Sequence, residues 1–246
     1  MFEILAQPRA EAIERFLTSW YGPRTVESAL PEPGRSTLMP APLRRFYDLI
    51  RRWPDAIVQN VVLAPPELPD LRNEAWAETY IDDGKLAFYV ENQGVCRWAT
   101  SPEEVDEAPV WIRGETLDRE MDTWELEEPR LSAFLVQVIV FEAVIGANHG
   151  ASVAWLDRPT LARVVEPLHR LPFGAWRWPS SPTEFYAGDR VLAVAGPNPG
   201  PDEPVATAEY ASLSLGAIDG DALGYLDAIS QPTWEWFSRR DGPATV

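Results

Sequence analysis

The stretch that decides the fold is Lys85–Trp111, KLAFYVENQGVCRWATSPEEVDEAPVW. Leu86–Val90 and Val95–Ala99 are short runs rich in aromatic and β-branched residues, separated by Asn92-Gln93-Gly94. Such runs around a polar, glycine-containing turn predict a β-hairpin. An acidic loop follows, Glu103-Glu104-Val105-Asp106-Glu107, and then a third strand at Val110-Trp111-Ile112. Strands this closely spaced, with no helix between them, predict an antiparallel meander.

Upstream, Glu74–Ile81 alternates with period two, and Asp82-Asp83-Gly84 is a turn signal that leads into Leu86. Ile57–Leu63 is a further strand candidate before the prolines at 65, 66 and 69. Two amphipathic helices precede it. In Pro8–Tyr21, Ile13, Phe16, Leu17, Trp20 and Tyr21 recur at helical spacing. In Pro42–Trp53, Leu43, Phe46, Tyr47 and Ile50 do the same, and Pro54 cannot continue that helix.

Downstream, Glu115–Pro129 is acidic and its period is ambiguous. Leu131–Gly146 is apolar nearly all round, which predicts a buried central helix, with Ser132 in position to cap it. The remainder predicts a helix over Arg158–Leu171, strands at Trp176–Trp178, Phe185–Ala187, Val191–Ala195 and Val205–Leu215, and a helix over Asp219–Ile229. The fold class that follows is α+β: a mixed, mainly antiparallel sheet packed by helices. Residues 1–150 form one domain, and residues 151–246 form a C-terminal α+β extension packed on it or continuing it.

Charge narrows the partners. The chain has 246 residues, with 38 acidic against 21 basic side chains and a net charge of −17. A surface this acidic repels nucleic acid and anionic membranes and attracts a basic protein. Lys85 is the only lysine beside twenty arginines, a coding bias expected of a GC-rich bacterial source. Cys96 is alone, so no intramolecular disulfide forms, which suits a reducing cytoplasm. The N-terminus lacks the basic start and long apolar run of a signal peptide. Phe134–Phe141 is too short to span a bilayer.

No constellation of catalytic residues stands out. His149 and His169 have no partner ligand at metal spacing, and Cys96 in a strand reads as a small buried hydrophobe. P-loop, nucleophile-elbow, dinucleotide and zinc-protease motifs are missing from the sequence. Asp219 reads as a helix cap rather than a calcium ligand. Of the eleven tryptophans, Trp20, Trp53, Trp98, Trp111 and Trp155 follow apolar patterns and are assigned to the core. Trp176/Trp178 and Trp234/Trp236 form W-x-W pairs that suit either the core or an interface.

Four segments resemble the SUKH superfamily, the Smi/Knr-type proteins. LMPAPLRRFYDLIRR (Leu38–Arg52) is similar to the family's early helix, and LAFYVENQGVCRW (Leu86–Trp98) to its strand–turn–strand. APVW (Ala108–Trp111) is similar to its next strand, and LSAFLVQVIVFEAVIGA (Leu131–Ala147) to its closing helix. The resemblance covers Ala10–Ala147. It implies a non-enzymatic, cytoplasmic protein-binding module of the bacterial immunity type, which neutralises a cognate toxin, often a basic domain. It implies no cofactor.

The residues assigned to partner binding are Glu91, Asn92, Gln93, Glu103, Glu104, Asp106, Glu107, Asp122 and Glu125. No catalytic or metal-binding residue is assigned. The alternatives are a regulatory scaffold with an endogenous partner, or a hydrolase built on a carboxylate pair. The oligomeric state is not readable from the sequence.

Overall fold

The structure is a computed structural model that describes residues 2–24, 39–63, 80–103, 105–174, 176–199, 204, 208–229 and 234–237. It is α+β, and its described residues form two six-stranded sheets in which every pairing is antiparallel.

The helices α1 (Phe2–Leu5), α2 (Ala10–Tyr21) and α3 (Ala41–Arg52) come first. As the spacing predicts, α2 buries Ile13, Phe16 and Leu17, and α3 buries Leu43, Phe46, Tyr47 and Ile50. Arg51 and Arg52 fall in the last turn of α3, where the helix dipole favours cations. Trp53, just past that end, donates its indole N–H to Gly22 O at 3.1 Å, which ties the ends of α2 and α3 together.

The first sheet runs β1 (Val61–Val62), β3 (Lys85–Val90), β4 (Cys96–Thr100), β5 (Val110–Glu115), β6 (Glu120–Glu128), with β2 (Ile81–Asp82) also paired to β3. The predicted hairpin and meander are present. The turn into β3 places Asp83 and Gly84 at positive φ (50° and 72°), as a tight hairpin turn requires. The acidic segment of ambiguous period becomes β6, entered by a turn at Thr116–Arg119. The alternation over Glu74–Thr79 lies outside the described residues.

Helix α4 (Leu131–Ile145) is the axis of the molecule: all of its residues but Ile145 are buried. It packs on α2 and α3, and it meets the first sheet through Phe134, which contacts Phe88 and Trp98. Its other side lies on the second sheet, of order β12 (Glu235–Phe237), β7 (His149–Asp157), β11 (Tyr210–Ala217), β10 (Val191–Pro197), β9 (Glu184–Ala187), β8 (His169–Arg170). Gly216 makes that approach possible, because a Cβ there would sit 2.8 Å from Val144 O. The far face of this sheet is covered by α5 (Arg158–Val165) and by a 3-10 helix, Gly220–Ala228, through Val164, Leu223 and Leu226.

Several local expectations are corrected. Ser132 does not cap α4. The N-cap position is Arg130, and the carboxylate of Glu107 supplies the cap, accepting from Ser132 N at 2.9 Å and Ser132 Oγ at 2.5 Å. The helix predicted to reach Leu171 stops at Val165, so His169 lies in β8 rather than at a helix end. Trp155 is 51% exposed, not core. A bulge sets Ala154 and Trp155 against the single residue Ser212, so Leu156 takes the inward position that strict alternation gives to Trp155. Asp219 caps the 3-10 helix as expected, accepting from Ala222 N.

The turn from α4 into β7 lies where the sequence divides at residue 150. The larger core cluster runs through it, joining Trp176, Phe185, Leu192 and Val194 to α2, α3 and α4. Among the described residues, no helix is long and apolar enough to cross a membrane.

Candidate functional site

The described residues assigned to partner binding on either side of β4 form two groups at its opposite ends, about 17 Å apart over five residues, while Asp122 and Glu125 lie on β6. One group is the turn Glu91–Gly94. Glu91 is buried, and its carboxylate accepts from Gln93 N at 2.8 Å and Val95 N at 3.4 Å. Gly94 has φ +79° and donates to Glu91 O at 2.8 Å. Asn92 N donates to Asn60 Oδ1 at 3.2 Å. The backbone of the turn is thus held from beneath, and the side chains of Asn92 and Gln93 are exposed. Glu91 is therefore part of the scaffold, not of the contact surface.

At the other end, Glu103 and Asp106 are exposed, and Glu104 lies outside the described residues. Glu107 spends its carboxylate on the start of α4. Val105 O accepts from Ala41 N at 3.0 Å, and Ala108 O from Leu131 N at 2.7 Å. This loop is chiefly a connector that anchors two helices.

The turn Glu91–Gly94 has a closer companion. Glu115 N donates to Val95 O at 2.8 Å, which sets the β5–β6 hairpin beside it. That end carries Glu115, Asp118, Glu120 and Asp122. Between the two hairpins the open face of the sheet forms a hollow of about 570 Å3, bordered by Gly94, Val95, Arg97, Arg113, Glu120 and Asp122. Gly114 lines its floor at φ +124°, where a Cβ would meet Val95 O at 2.1 Å, so the two hairpins touch through a residue that must be glycine.

Asp82 fixes the two arginines of the hollow: Arg97 Nη2 lies 2.7 Å from Oδ2, and Arg113 Nη1 lies 3.3 and 3.2 Å from Oδ1 and Oδ2. Arg97 also lies over Trp124, and Lys85 over Trp111. Trp111 thus faces outward rather than into the core. Glu125 pairs with Arg119, which leaves Asp122 as the assigned β6 carboxylate that borders the hollow.

Beneath this face lies a buried polar network that sequence reasoning missed. Glu142, fully buried in α4, accepts from Val58 N (2.8 Å), Gln59 N (2.7 Å), Asn60 N (3.1 Å) and Tyr89 Oη (2.5 Å). Asn60 Nδ2 donates to Tyr89 Oη at 2.7 Å. Binding of the backbone at 58–60 to Glu142 also explains why the predicted strand Ile57–Leu63 is reduced to Val61–Val62. Burial raises the Glu142 carboxyl above the usual carboxylate range, against the opposing pull of these hydrogen bonds. Burial, aided by the Glu142 charge, also raises the Tyr89 phenol. A single charged residue, Glu142, in a largely apolar helix is the available signal, since a buried charge needs dedicated partners.

Glu127, on β6, is buried against Arg177, which donates its backbone N–H at 2.9 Å and Nη1 at 2.8 Å. Burial outweighs these bonds and pushes its carboxyl up to about 7. The folded value lies above the ordinary 4.5, so the folded state holds the proton more tightly. Stability is therefore expected to fall as pH rises from about 4.5 to about 7. Glu127→Gln is expected to flatten that slope, as read by urea midpoints across the window. An unchanged slope would assign the dependence to other groups.

Cys96 is buried as expected, and burial raises its thiol. Trp176 is fully buried, Trp178 packs against the core, and Trp236 is 37% exposed. Among the described residues, no group of three or more His, Cys, Asp or Glu side chains is placed to hold a metal ion. No family model, curated protein or solved structure matches the chain.

Proposed function

We propose that this chain is a non-enzymatic, SUKH-like bacterial immunity protein of the cytoplasm, which neutralises a basic toxin domain by binding it. The docking edge is the acidic end of the first sheet. The observation that carries this reading is the contrast between two sets of groups. The buried carboxylates Glu91, Glu127 and Glu142 are all engaged in holding backbone. Asn92 and Gln93 stand exposed on a turn whose backbone is held from beneath, and Asp122 stands exposed on the rim of the hollow. Rigid presentation of polar side chains lowers the entropic cost of binding. A net charge of −17 steers a basic partner toward the chain.

The test is co-purification with, and protection from, the product of the adjacent gene, followed by titration. Charge reversal at Asp122→Lys with Glu120→Lys is expected to weaken binding roughly tenfold or more, mainly by slowing association in low salt. Glu103→Lys with Asp106→Lys, at the far end of the sheet, is expected to change it little. A protein that neither binds its neighbour nor protects cells from it is not an immunity protein. Equal losses from both pairs would move the docking edge away from this end.

A further inference from the structure

A second cavity lies on the opposite side of the molecule's axis, between the C-terminal end of α4 and the second sheet. Its volume is about 180 Å3. Phe141 and Trp178, in edge-to-face contact with each other, form one aromatic wall, and Val194 adds an aliphatic one. Ser212 and Ser214, on β11, are also among its lining residues, and Gln59 comes from the loop bound to Glu142. Ser214 pairs across the ladder with Val194, and Ser212 with Gly196. The floor is thus made of side chains too small to fill the space beneath the helix. The space opens to solvent beside the exposed Ile145.

Two features give the space a chemistry. First, none of the described residues that line it is acidic or basic, although a quarter of the chain is charged. Second, its polar groups have capacity to spare. Among the described residues, the side chains of Gln59 and Ser214 make no hydrogen bond, and Ser212 Oγ makes a long one of 3.5 Å to Gly196 O. Apolar walls with a few convergent, unspent polar groups are the composition of a small-molecule site.

We infer that this cavity binds a small uncharged ligand consisting of one aromatic ring with a hydroxyl or amide head. The size sets the limit of one ring, since an apolar cavity of about 150 Å3 takes one benzene. The ring packs against the Phe141–Trp178 pair, whose own rings already meet edge to face with centroids 5.7 Å apart, and the head group bonds Ser214 and Gln59. Charged analogues are excluded because the walls offer no counter-ion for a desolvated charge.

Three probes share one ring: benzyl alcohol, benzoate and benzylammonium. Each is titrated at physiological salt against the full chain, with amide shifts of Ser212 and Ser214 as the readout. Benzyl alcohol is expected to saturate with a Kd on the order of 1 mM, as befits eight heavy atoms. The two charged probes are expected to bind at least about tenfold more weakly. Ser214→Leu, which fills the floor, is expected to abolish the shifts. If that variant does not fold, Ile145→Trp carries the same test, because Ile145 lies at the exposed margin of the cavity. The inference is overturned if benzyl alcohol gives no saturable shift, if all three probes bind alike, or if the folded filling variant binds undiminished.

Discussion

Replacing Glu142 by alanine is expected to lower the unfolding free energy by about 4 kcal/mol, the cost of leaving several part-buried hydrogen-bond donors without their acceptor. The substitution orphans three backbone N–H groups, at Val58, Gln59 and Asn60, and the Tyr89 hydroxyl, within the interior. Each stranded donor costs about 1–3 kcal/mol, partly offset where water enters. Glu142→Gln keeps the size and one acceptor oxygen but turns an amide N–H2 toward the donors, so about half of the loss is expected. Urea midpoints at fixed pH measure both. A loss below about 1 kcal/mol for the alanine variant would mean that the loop rearranges freely and the network is incidental.

The effect should reach the outer surface. Asn60 is held by Glu142 and Tyr89, and its Oδ1 accepts from Asn92 N in the proposed docking turn. Faster hydrogen exchange at Asn92 in Glu142→Ala would register that link. The pH dependence has a definite sign. The folded carboxyl sits above its unfolded value, so the folded state takes up more protons over the interval between them. The Glu142 contribution to stability is greatest at low pH and declines as pH rises through the folded value.

The secondary structure was readable where local pattern and tertiary demand agree. The stripes of α2 and α3, the all-round apolarity of α4 and the Asp83-Gly84 turn state their environments directly. Elsewhere a single distant contact overrides the local pattern. Glu142 reaches 82 residues back to Asn60, and no local period encodes that pairing. The bulge opposite Ser212 exchanges the faces of Trp155 and Leu156. Its acidic run marks Glu107 as a contact residue, yet it caps a helix by bonding Ser132, 25 residues onward. The same gap explains the assigned surface. The sequence order places Asn92 and Asp106 on one stretch, whereas β4 puts them at opposite ends of a sheet. Asp122, remote in sequence, borders the same hollow as the Gly94-Val95 end of the turn.

Trp176→Ala is expected to cost about 4 kcal/mol, the range for emptying a buried aromatic site. The indole is fully buried. It stacks on Phe134 and Phe141, both at a centroid distance of 5.4 Å, and contacts Trp98 at 5.4 Å and Phe185 at 5.8 Å. These four partners come from both sheets and from α4, so the side chain sits where the N-terminal and C-terminal parts of the chain meet. Among the described residues its indole nitrogen has no hydrogen-bond partner. Trp176→Phe therefore removes volume without breaking a bond, and is expected to cost no more than half as much as alanine. The informative quantity is the shape of the transition as well as its midpoint. If the core is continuous across residue 150, the wild-type chain unfolds in one step by both tryptophan fluorescence and far-ultraviolet circular dichroism, and Trp176→Ala shifts that step as a whole. Two separated steps, with only the later residues affected by the substitution, would show that the two parts fold independently and that the aromatic cluster merely docks them.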